Sequence, residues 1–179
     1  MGFSVLCTEI SKFKTMIKKS YSPIIMLFVT VLLIALTSCS QEKKYIKAET
    51  DDINTFLANN PGFDKKTSGL YYLDATVGTG IQPQTGDTAY VWYTGKFLDG
   101  TVFDTNTNTG GTILKFLVNE NVMIAGFDEG VSYMKVGGKS RLVIPSSLGY
   151  GPSGYYTIPG YTALLYEVQL VKVGKTTTK

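Results

Sequence analysis

The sequence predicts an α+β domain in which one short helix lies against one face of an antiparallel sheet. Three observations predict it: five segments rich in strand-forming residues, one segment with helical spacing among them, and long loops rich in glycine and proline. The length of 179 residues suits one such domain with accessory segments.

The first 38 residues are predicted to be an export signal. A basic stretch, Lys12–Lys19, contains four lysines. It precedes an apolar run, Ile24–Leu36, that is 13 residues long. A membrane-spanning helix needs about 20 apolar residues, whereas the hydrophobic part of a signal peptide needs roughly 7–15. The length therefore favours export, with either Met1 or Met16 as the true start.

The apolar run ends in Leu36-Thr37-Ser38-Cys39, which resembles the lipobox of bacterial lipoproteins. The resemblance implies cleavage before Cys39, so that residues 1–38 are a lipoprotein signal peptide, and lipid attachment to the Cys39 sulfur. Two or more acyl chains anchor a protein stably to a membrane. An ordinary secretory signal with a coincidental cysteine, or a short membrane anchor, is the alternative. Ser40 is not acidic, which favours the outer membrane, facing the periplasm.

Residues 39–68 are predicted to be a linker that carries one short helix. The segment is polar, with apolar residues at helical spacing, and Thr50 stands where a helix N-cap is expected. Asn59-Asn60-Pro61-Gly62 is a helix stop. A dimerisation element is the alternative. The members of the apolar set are Ile46, Ile53, Phe56 and Leu57.

The folded domain is predicted to cover residues 69–174, followed by a tail at 175–179. Its strands alternate apolar and polar residues or are rich in strand formers, and turns such as Asp99-Gly100 separate them. Helical spacing over Gly126–Met134 predicts the helix, with Phe127, Val131 and Met134 on one side. The predicted strands are Leu70–Thr76, Thr88–Phe97, Thr112–Val118, Lys139–Ile144 and Ala163–Val173.

Charge and composition exclude several functional classes. The net charge of +3 comes from the leader, because residues 39–179 have 13 basic and 13 acidic residues. A neutral domain has no electrostatic footprint for nucleic acid or an acidic membrane surface. The absence of histidine excludes Ser-His-Asp triads and histidine-ligated metals. Cys7 and Cys39 both lie in or beside the leader, so the domain has no disulfide of its own.

Two apparent motifs do not predict a site. Gly149–Gly154 has the GxGxxG spacing of dinucleotide-binding loops, but Pro145 separates it from the preceding strand and no helix can open from the residues after it. The acidic residues are scattered, and nothing pairs them for glycoside hydrolysis. Asp128 and Glu129 are adjacent on the predicted helix and are expected to be solvated.

An ordered series of short motifs runs through nearly the whole domain, from Gly69 to Val173. Y-x-G precedes D-G, F-D follows, and G-Y-G comes later. This succession resembles the FK506-binding-protein family of peptidyl-prolyl cis-trans isomerases. The segments are Val91–Gly95, Val102–Asp104, Phe116–Val118, Val122–Gly130, Met134–Gly137, Ile144-Pro145, Leu148–Gly151, Ile158-Pro159 and Leu164–Val168.

The resemblance implies a five-stranded antiparallel sheet wrapped around the short helix, with an apolar pocket between them and no cofactor. Residue types alone would also allow several of these residues to be ordinary core. The family's catalytic positions fall on Tyr93, Phe103, Asp104, Tyr150 and Tyr166. Its further substrate-binding positions fall on Phe116, Met123, Ile124, Phe127, Tyr155 and Ile158.

The resemblance also implies how ligands and partners are bound. The backbone N–H of Ile124 and the hydroxyl of Tyr150 are expected to donate to ligand carbonyls, and Asp104 is the lone carboxylate at the pocket edge. The expected partners are proline-containing polypeptides, a membrane through the lipid on Cys39, and FK506-type macrolides.

Three positions depart from the family pattern at the pocket rim. Leu114 stands where an aromatic residue is common, Tyr155 where histidine is frequent, and Gly160 where a second proline often lies. These departures leave open a binding module on the same fold, a chaperone or scaffold that recognises proline segments without catalysis. A purely structural envelope lipoprotein is the third alternative.

Overall fold

A computed structural model describes residues 23–107 and 110–175, with side chains from residue 41 onward. Contacts divide the chain into two compact units, 1–44 and 45–179. Residues 1–22 of the predicted signal peptide, the Cys39 side chain and residues 176–179 of the predicted tail lie outside what is described. In the described part of the chain, no helix combines the length and apolarity needed to cross a membrane.

The described elements are two helices, a short 3-10 turn and seven strands. The helices are α1 (Pro23–Asn59) and α2 (Ala125–Tyr133), and the 3-10 turn is Ser146–Leu148. The strands are β1 (Asp64–Lys65), β2 (Tyr71–Thr76), β3 (Thr88–Phe97), β4 (Val102–Thr105), β5 (Leu114–Leu117), β6 (Lys139–Ile144) and β7 (Leu164–Gly174).

All strand pairs are antiparallel, in the order β1-β2-β6-β7-β3-β4, with β5 also paired to β3. The predicted α+β class is confirmed, and each of the five predicted strands forms. The two additional strands, β1 and β4, have two and four residues. A strand of two residues is too short for alternation to predict, and four residues is about the shortest run in which the pattern can be recognised. The predicted helix over Gly126–Met134 forms as α2, and the short helix predicted within residues 39–68 is part of the longer α1, which begins at Pro23.

The main core lies between α2 and one face of the sheet. Phe127 and Val131 on α2 are fully buried against inward residues of the central strands. Gly130 permits this approach, since a Cβ there would lie 2.5 Å from Leu142 Cδ1. Inward and outward residues alternate along β6 and β7, so the opposite face carries its own apolar set.

The second apolar cluster joins α1 to that opposite face. Ile53 on α1 is buried with Val143, Ala163 and Leu165. The helix ends at Asn59, as its stop signal predicts. Thr50, expected as an N-cap, lies inside the helix, where its hydroxyl donates to the Ile46 carbonyl at 2.8 Å. A threonine tolerates this position because it can bond the carbonyl one turn back.

Candidate active site

Neighbouring strands bring the predicted site residues to the inner face of the sheet. In the β3 register, Gly95 lies opposite Asp104 on β4 and opposite Tyr166 on β7. A Cβ on Gly95 would lie 2.7 Å from Phe103 Cζ and 3.1 Å from Tyr166 Cε1. Glycine at this position therefore leaves the space that two aromatic rings occupy.

Phe127 is the centre of a cluster of aromatic rings. Its ring centroid lies 5.2 Å from that of Tyr166, 5.7 Å from Phe116 and 5.8 Å from Tyr93. Tyr166 also packs edge-on against Phe103 at 5.7 Å. Edge-to-face contacts in this range are favourable for aromatic pairs. Residues from α2 and four strands thus share one ring cluster.

Burial decreases from the base of this cluster to its edge. Phe116, Phe127, Ile158 and Tyr166 are buried. Asp104 and Tyr155 are exposed. The residues between them are half-buried: Tyr93, Phe103, Met123, Ile124 and Tyr150. The predicted site residues therefore form an apolar surface with a closed floor and a solvent-facing edge.

Tyrosine hydroxyls supply the polar groups of this surface. The Tyr93 hydroxyl donates to Asp104 Oδ2 at 2.7 Å. Burial, with the Asp104 carboxylate as the next cause, raises the pKa of Tyr93. Burial is the main cause of a raised pKa at Tyr166, and the neighbouring Tyr150 hydroxyl raises it further. Both phenols with raised pKa values remain neutral at physiological pH and keep their protons for hydrogen bonding.

The start of α2 presents a free backbone donor at the same edge. Ile124 is the N-cap, and its carbonyl accepts from the N–H groups of Phe127 and Asp128. In the described part of the chain, no acceptor bonds the Ile124 N–H. Helix N-termini leave such N–H groups without partners inside the helix. This donor is therefore available to a ligand carbonyl.

Asn106 was not predicted, yet it holds Tyr93 in place. Its Oδ1 accepts from the Tyr93 N–H at 2.7 Å, and its Nδ2 donates to the carbonyls of Val91 at 3.1 Å and Thr112 at 3.2 Å. Asparagine commonly bonds nearby backbone groups in this way. Its position directly after a short strand was the available signal, but the partner strand could not be inferred from it.

The loop between the 3-10 turn and β7 carries three predicted site residues, Tyr150, Tyr155 and Ile158. The rings of Tyr150 and Tyr155 stack at 5.2 Å and 12°. The backbone groups of Tyr155 and Ile158 bond each other at 2.9 and 2.8 Å. A Cβ on Gly160 would lie 1.9 Å from the Pro152 carbonyl oxygen, which excludes larger residues there. In this described segment no helix follows Gly154, in agreement with the rejection of a nucleotide-binding loop.

The prediction that Asp128 is solvated is wrong. Its side chain is buried, with 5% exposed, and Oδ1 accepts from the Asn119 N–H at 2.8 Å. Burial raises its pKa. The carboxylate joins the first turn of α2 to the loop after β5, a contact that helical periodicity does not reveal. No cluster suited to a metal ion occurs among the described residues.

A family model described as FKBP-type peptidyl-prolyl cis-trans isomerase matches residues 79–171. The chain belongs to the FKBP-type peptidyl-prolyl cis-trans isomerase family. The resemblance inferred from the motifs is confirmed. The matched range contains every predicted site residue of the domain. The catalytic and binding roles of the individual residues stay predictions.

Similar proteins include other members of this FKBP-type family. The FK506-binding protein 4 of Dictyostelium discoideum is 44% identical over 105 residues, 58% of this chain and 28% of that protein. FkpA of Aeromonas hydrophila is 34% identical over 142 residues, 78% of this chain and 52% of that protein. The chain therefore spans about half, or less, of the length of these curated relatives. A crystal structure of a peptidyl-prolyl cis-trans isomerase from Pseudomonas syringae pv. tomato has a TM-score of 0.65 at 30% identity, covering 74% of this chain and 96% of that one.

Proposed function

We propose that this protein accelerates cis-trans isomerisation of X–Pro bonds in exported polypeptides. The observation that carries the proposal is an apolar aromatic floor, Phe127 and Tyr166, beside hydrogen-bonding groups at a solvent-facing edge. Membership in the FKBP-type family supports it. No bond is broken in the reaction, so neither a nucleophile nor a cofactor is required.

The difficulty in prolyl isomerisation is the rate. The barrier to rotation is about 18–20 kcal/mol, because resonance holds the amide planar, whereas the trans form is favoured by only about 0.5–1 kcal/mol. A catalyst must bind the twisted amide better than either planar form. An apolar floor buries the prolyl ring and removes water that would stabilise the planar, charge-separated amide.

The polar groups at the edge hold the neighbouring carbonyls while the bond turns. The Ile124 N–H and the Tyr150 hydroxyl are the donors that we assign to ligand carbonyls. Asp104 orients the Tyr93 hydroxyl through their 2.7 Å bond and contributes to the field at the amide, without transferring a proton. A barrier lower by about 6–8 kcal/mol would give roughly 10⁴–10⁶-fold acceleration.

A protease-coupled assay on a proline-containing peptide tests this activity, with the full chain held in detergent. We expect the cis population to convert faster in proportion to protein concentration. A folded protein that binds the peptide in an NMR titration without accelerating it would instead be the binding module. A protein that neither binds nor isomerises the peptide would be the purely structural lipoprotein.

The lipid anchor is a separate proposal that the lipobox supports. We propose that residues 1–38 are removed, that Cys39 is lipidated, and that the domain faces the periplasm from the outer membrane. Cys39→Ser should release the protein from the membrane fraction. A variant that stays with the membrane would contradict lipidation, and sucrose-gradient separation of inner and outer membranes would test the destination.

We further propose that FK506-type macrolides occupy the same aromatic surface as the peptide. Their binding should displace the proline peptide competitively, because both would contact Phe127 and Tyr166. Loss of isomerase activity on titration with the macrolide measures this. Peptide and macrolide bound at the same time would contradict a shared surface.

A further inference from the structure

Helix α1 places a buried carboxyl group against the segment that leads into the site loop. Glu49 is 8% exposed. Its Oε1 accepts from the Ser146 N–H at 2.5 Å, and its Oε2 accepts from the Ser146 hydroxyl at 2.8 Å. No ion pair of Glu49 with lysine or arginine occurs in the part of the chain that is described. Burying a carboxyl group is costly unless its oxygens are hydrogen-bonded, so this contact is specific.

A second contact from the same helix lies one turn earlier. The ring of Tyr45 stacks on that of Tyr161, with centroids 5.4 Å apart and planes at 8°. Tyr45 and Glu49 are four residues apart and therefore share one helix face. Tyr161 in turn donates its N–H to the Gly151 carbonyl at 3.0 Å. The helix thus contacts the segment 146–161 at both of its ends.

The residues between these two contacts form one wall of the site. They include Tyr150, Tyr155 and Ile158, and the segment contains no regular strand or helix beyond the 3-10 turn at its start. Its position therefore depends strongly on its ends. Helix α1 itself is held on the sheet by Ile53, which packs with Val143 and Leu165. A continuous path of contacts leads from sheet to helix to loop.

We propose that the α1 segment from Tyr45 to Ile53 is a brace that positions the loop of Tyr150 and Tyr155 at the site, with Glu49 as the positioning residue. Glu49 bonds Ser146, which lies four residues before Tyr150, and acts on the site through that bond. The effect on turnover rests on the proposed isomerase function, whereas the effect on loop order does not. Loss of the brace weakens substrate binding more than it slows isomerisation of the bound substrate.

Substitutions at Glu49 separate hydrogen bonding from charge. Glu49→Gln keeps an acceptor for the Ser146 N–H and a donor for its hydroxyl, whereas Glu49→Ala keeps neither. Ser146→Ala removes only the hydroxyl bond. Asp51→Asn is the matched control, because it removes a carboxylate from the same helix, and the ion-pair partner of that carboxylate, Lys47, is exposed and also on α1.

Hydrogen exchange of the full chain in detergent, together with kcat and KM for a proline peptide, tests the brace. In Glu49→Ala, amides 147–161 should exchange about ten-fold faster than in Asp51→Asn, and KM should rise about ten-fold while kcat changes by less than about two-fold. Glu49→Gln should bring both the exchange rates and KM most of the way back to wild-type values. Ser146→Ala should lie between Glu49→Ala and the wild type in both measurements. Strands β3 and β7 should exchange as in the wild type.

Other results would overturn either the brace or the proposed isomerase function. Unchanged exchange in 147–161, or a uniform increase over the whole domain, would overturn the brace. If Glu49→Ala does not fold, Ser146→Ala gives the same comparison, and wild-type exchange and KM in that variant would overturn the brace. A wild-type chain without isomerase activity would defeat the proposed function, while the exchange data would still decide the brace.

Discussion

At the scale of single residues, burial sorts side chains that look alike in the sequence. Tyr166 is 4% exposed and belongs to the floor, Tyr93 is half-buried, and Tyr155 is 58% exposed at the edge. Each phenol combines an apolar ring with one hydroxyl. The hydroxyl of Tyr93 has a defined acceptor in Asp104, so this pair is where a small change should affect catalysis most directly.

Removing either partner of the Tyr93–Asp104 bond should reduce turnover without unfolding the protein. Hydrogen bonds to charged groups contribute about 1.5–3 kcal/mol, so Tyr93→Phe and Asp104→Ala should each lower kcat/KM by about ten-fold or more. Asp104→Asn keeps an acceptor and should lose less. Peptide isomerisation measures the rates and thermal unfolding checks the fold. Wild-type rates in both variants would show that the site has been misplaced.

Buried phenols should make the protein sensitive to alkali. Burial raises the pKa values of Tyr72, Tyr93 and Tyr166, so the folded state favours their neutral forms. Their contribution is complete below the unfolded value of about 10 and is lost as pH rises above it. Urea midpoints should hold to about pH 10 and then fall. Tyr93→Phe should show a shallower decline, and an identical slope would contradict its raised pKa.

At the scale of elements, the loop before β7 is shaped by close backbone approach. Gly151 has a φ of +65° with open space around its Cβ position, whereas Gly160 faces the Pro152 carbonyl. These two glycines are required for different reasons, one conformational and one steric. The loop carries Tyr150 and Tyr155, so its shape affects the site directly.

Alanine substitutions at the two glycines should therefore differ in their effects. Gly151→Ala should cost about 1–2 kcal/mol for the left-handed conformation, with the loop retained. Gly160→Ala forces the segments of Pro152 and Gly160 apart and should lower both stability and kcat/KM. Urea unfolding and NMR signals of the loop tyrosines measure these effects. Equal behaviour of the two variants would contradict the steric requirement.

At the scale of the whole molecule, the sheet has an apolar cover on each face. Helix α2 covers one face around Phe127, and the segment of α1 from Tyr45 covers the other around Ile53. Residues 45–179 form one compact unit. The second cover consists of residues that the sequence had suggested were a linker, so their removal should affect the stability of the domain.

Deleting residues 1–59 should destabilise the domain more than any one substitution in α1. The deletion uncovers Val143, Ala163 and Leu165, which pack with Ile53. Ile53→Ala alone should lower the free energy of unfolding by about 2–5 kcal/mol, and the deletion should exceed that value. Urea denaturation of a chain beginning at residue 42 provides the reference. Equal stability of the two chains would contradict the structural role of α1.

The sequence by itself determined the class of the fold, the five main strands, the short helix and the family. These depend on local signals: alternation along strands, turn residues, and motifs in a fixed order. The family resemblance also assigned the residues of the aromatic cluster to one pocket. The order of burial among them followed only from the structure, because burial depends on all neighbouring elements.

Only the tertiary structure decided the contacts between distant segments. Glu49 and Ser146 are 97 residues apart, and nothing in either local pattern indicates the other. Ile46, part of the apolar set in the sequence, is 47% exposed, and the polar Glu49 takes a buried place. Helical spacing defines which residues share a face. Which face packs on the sheet depends on contacts with residues that are distant in the sequence.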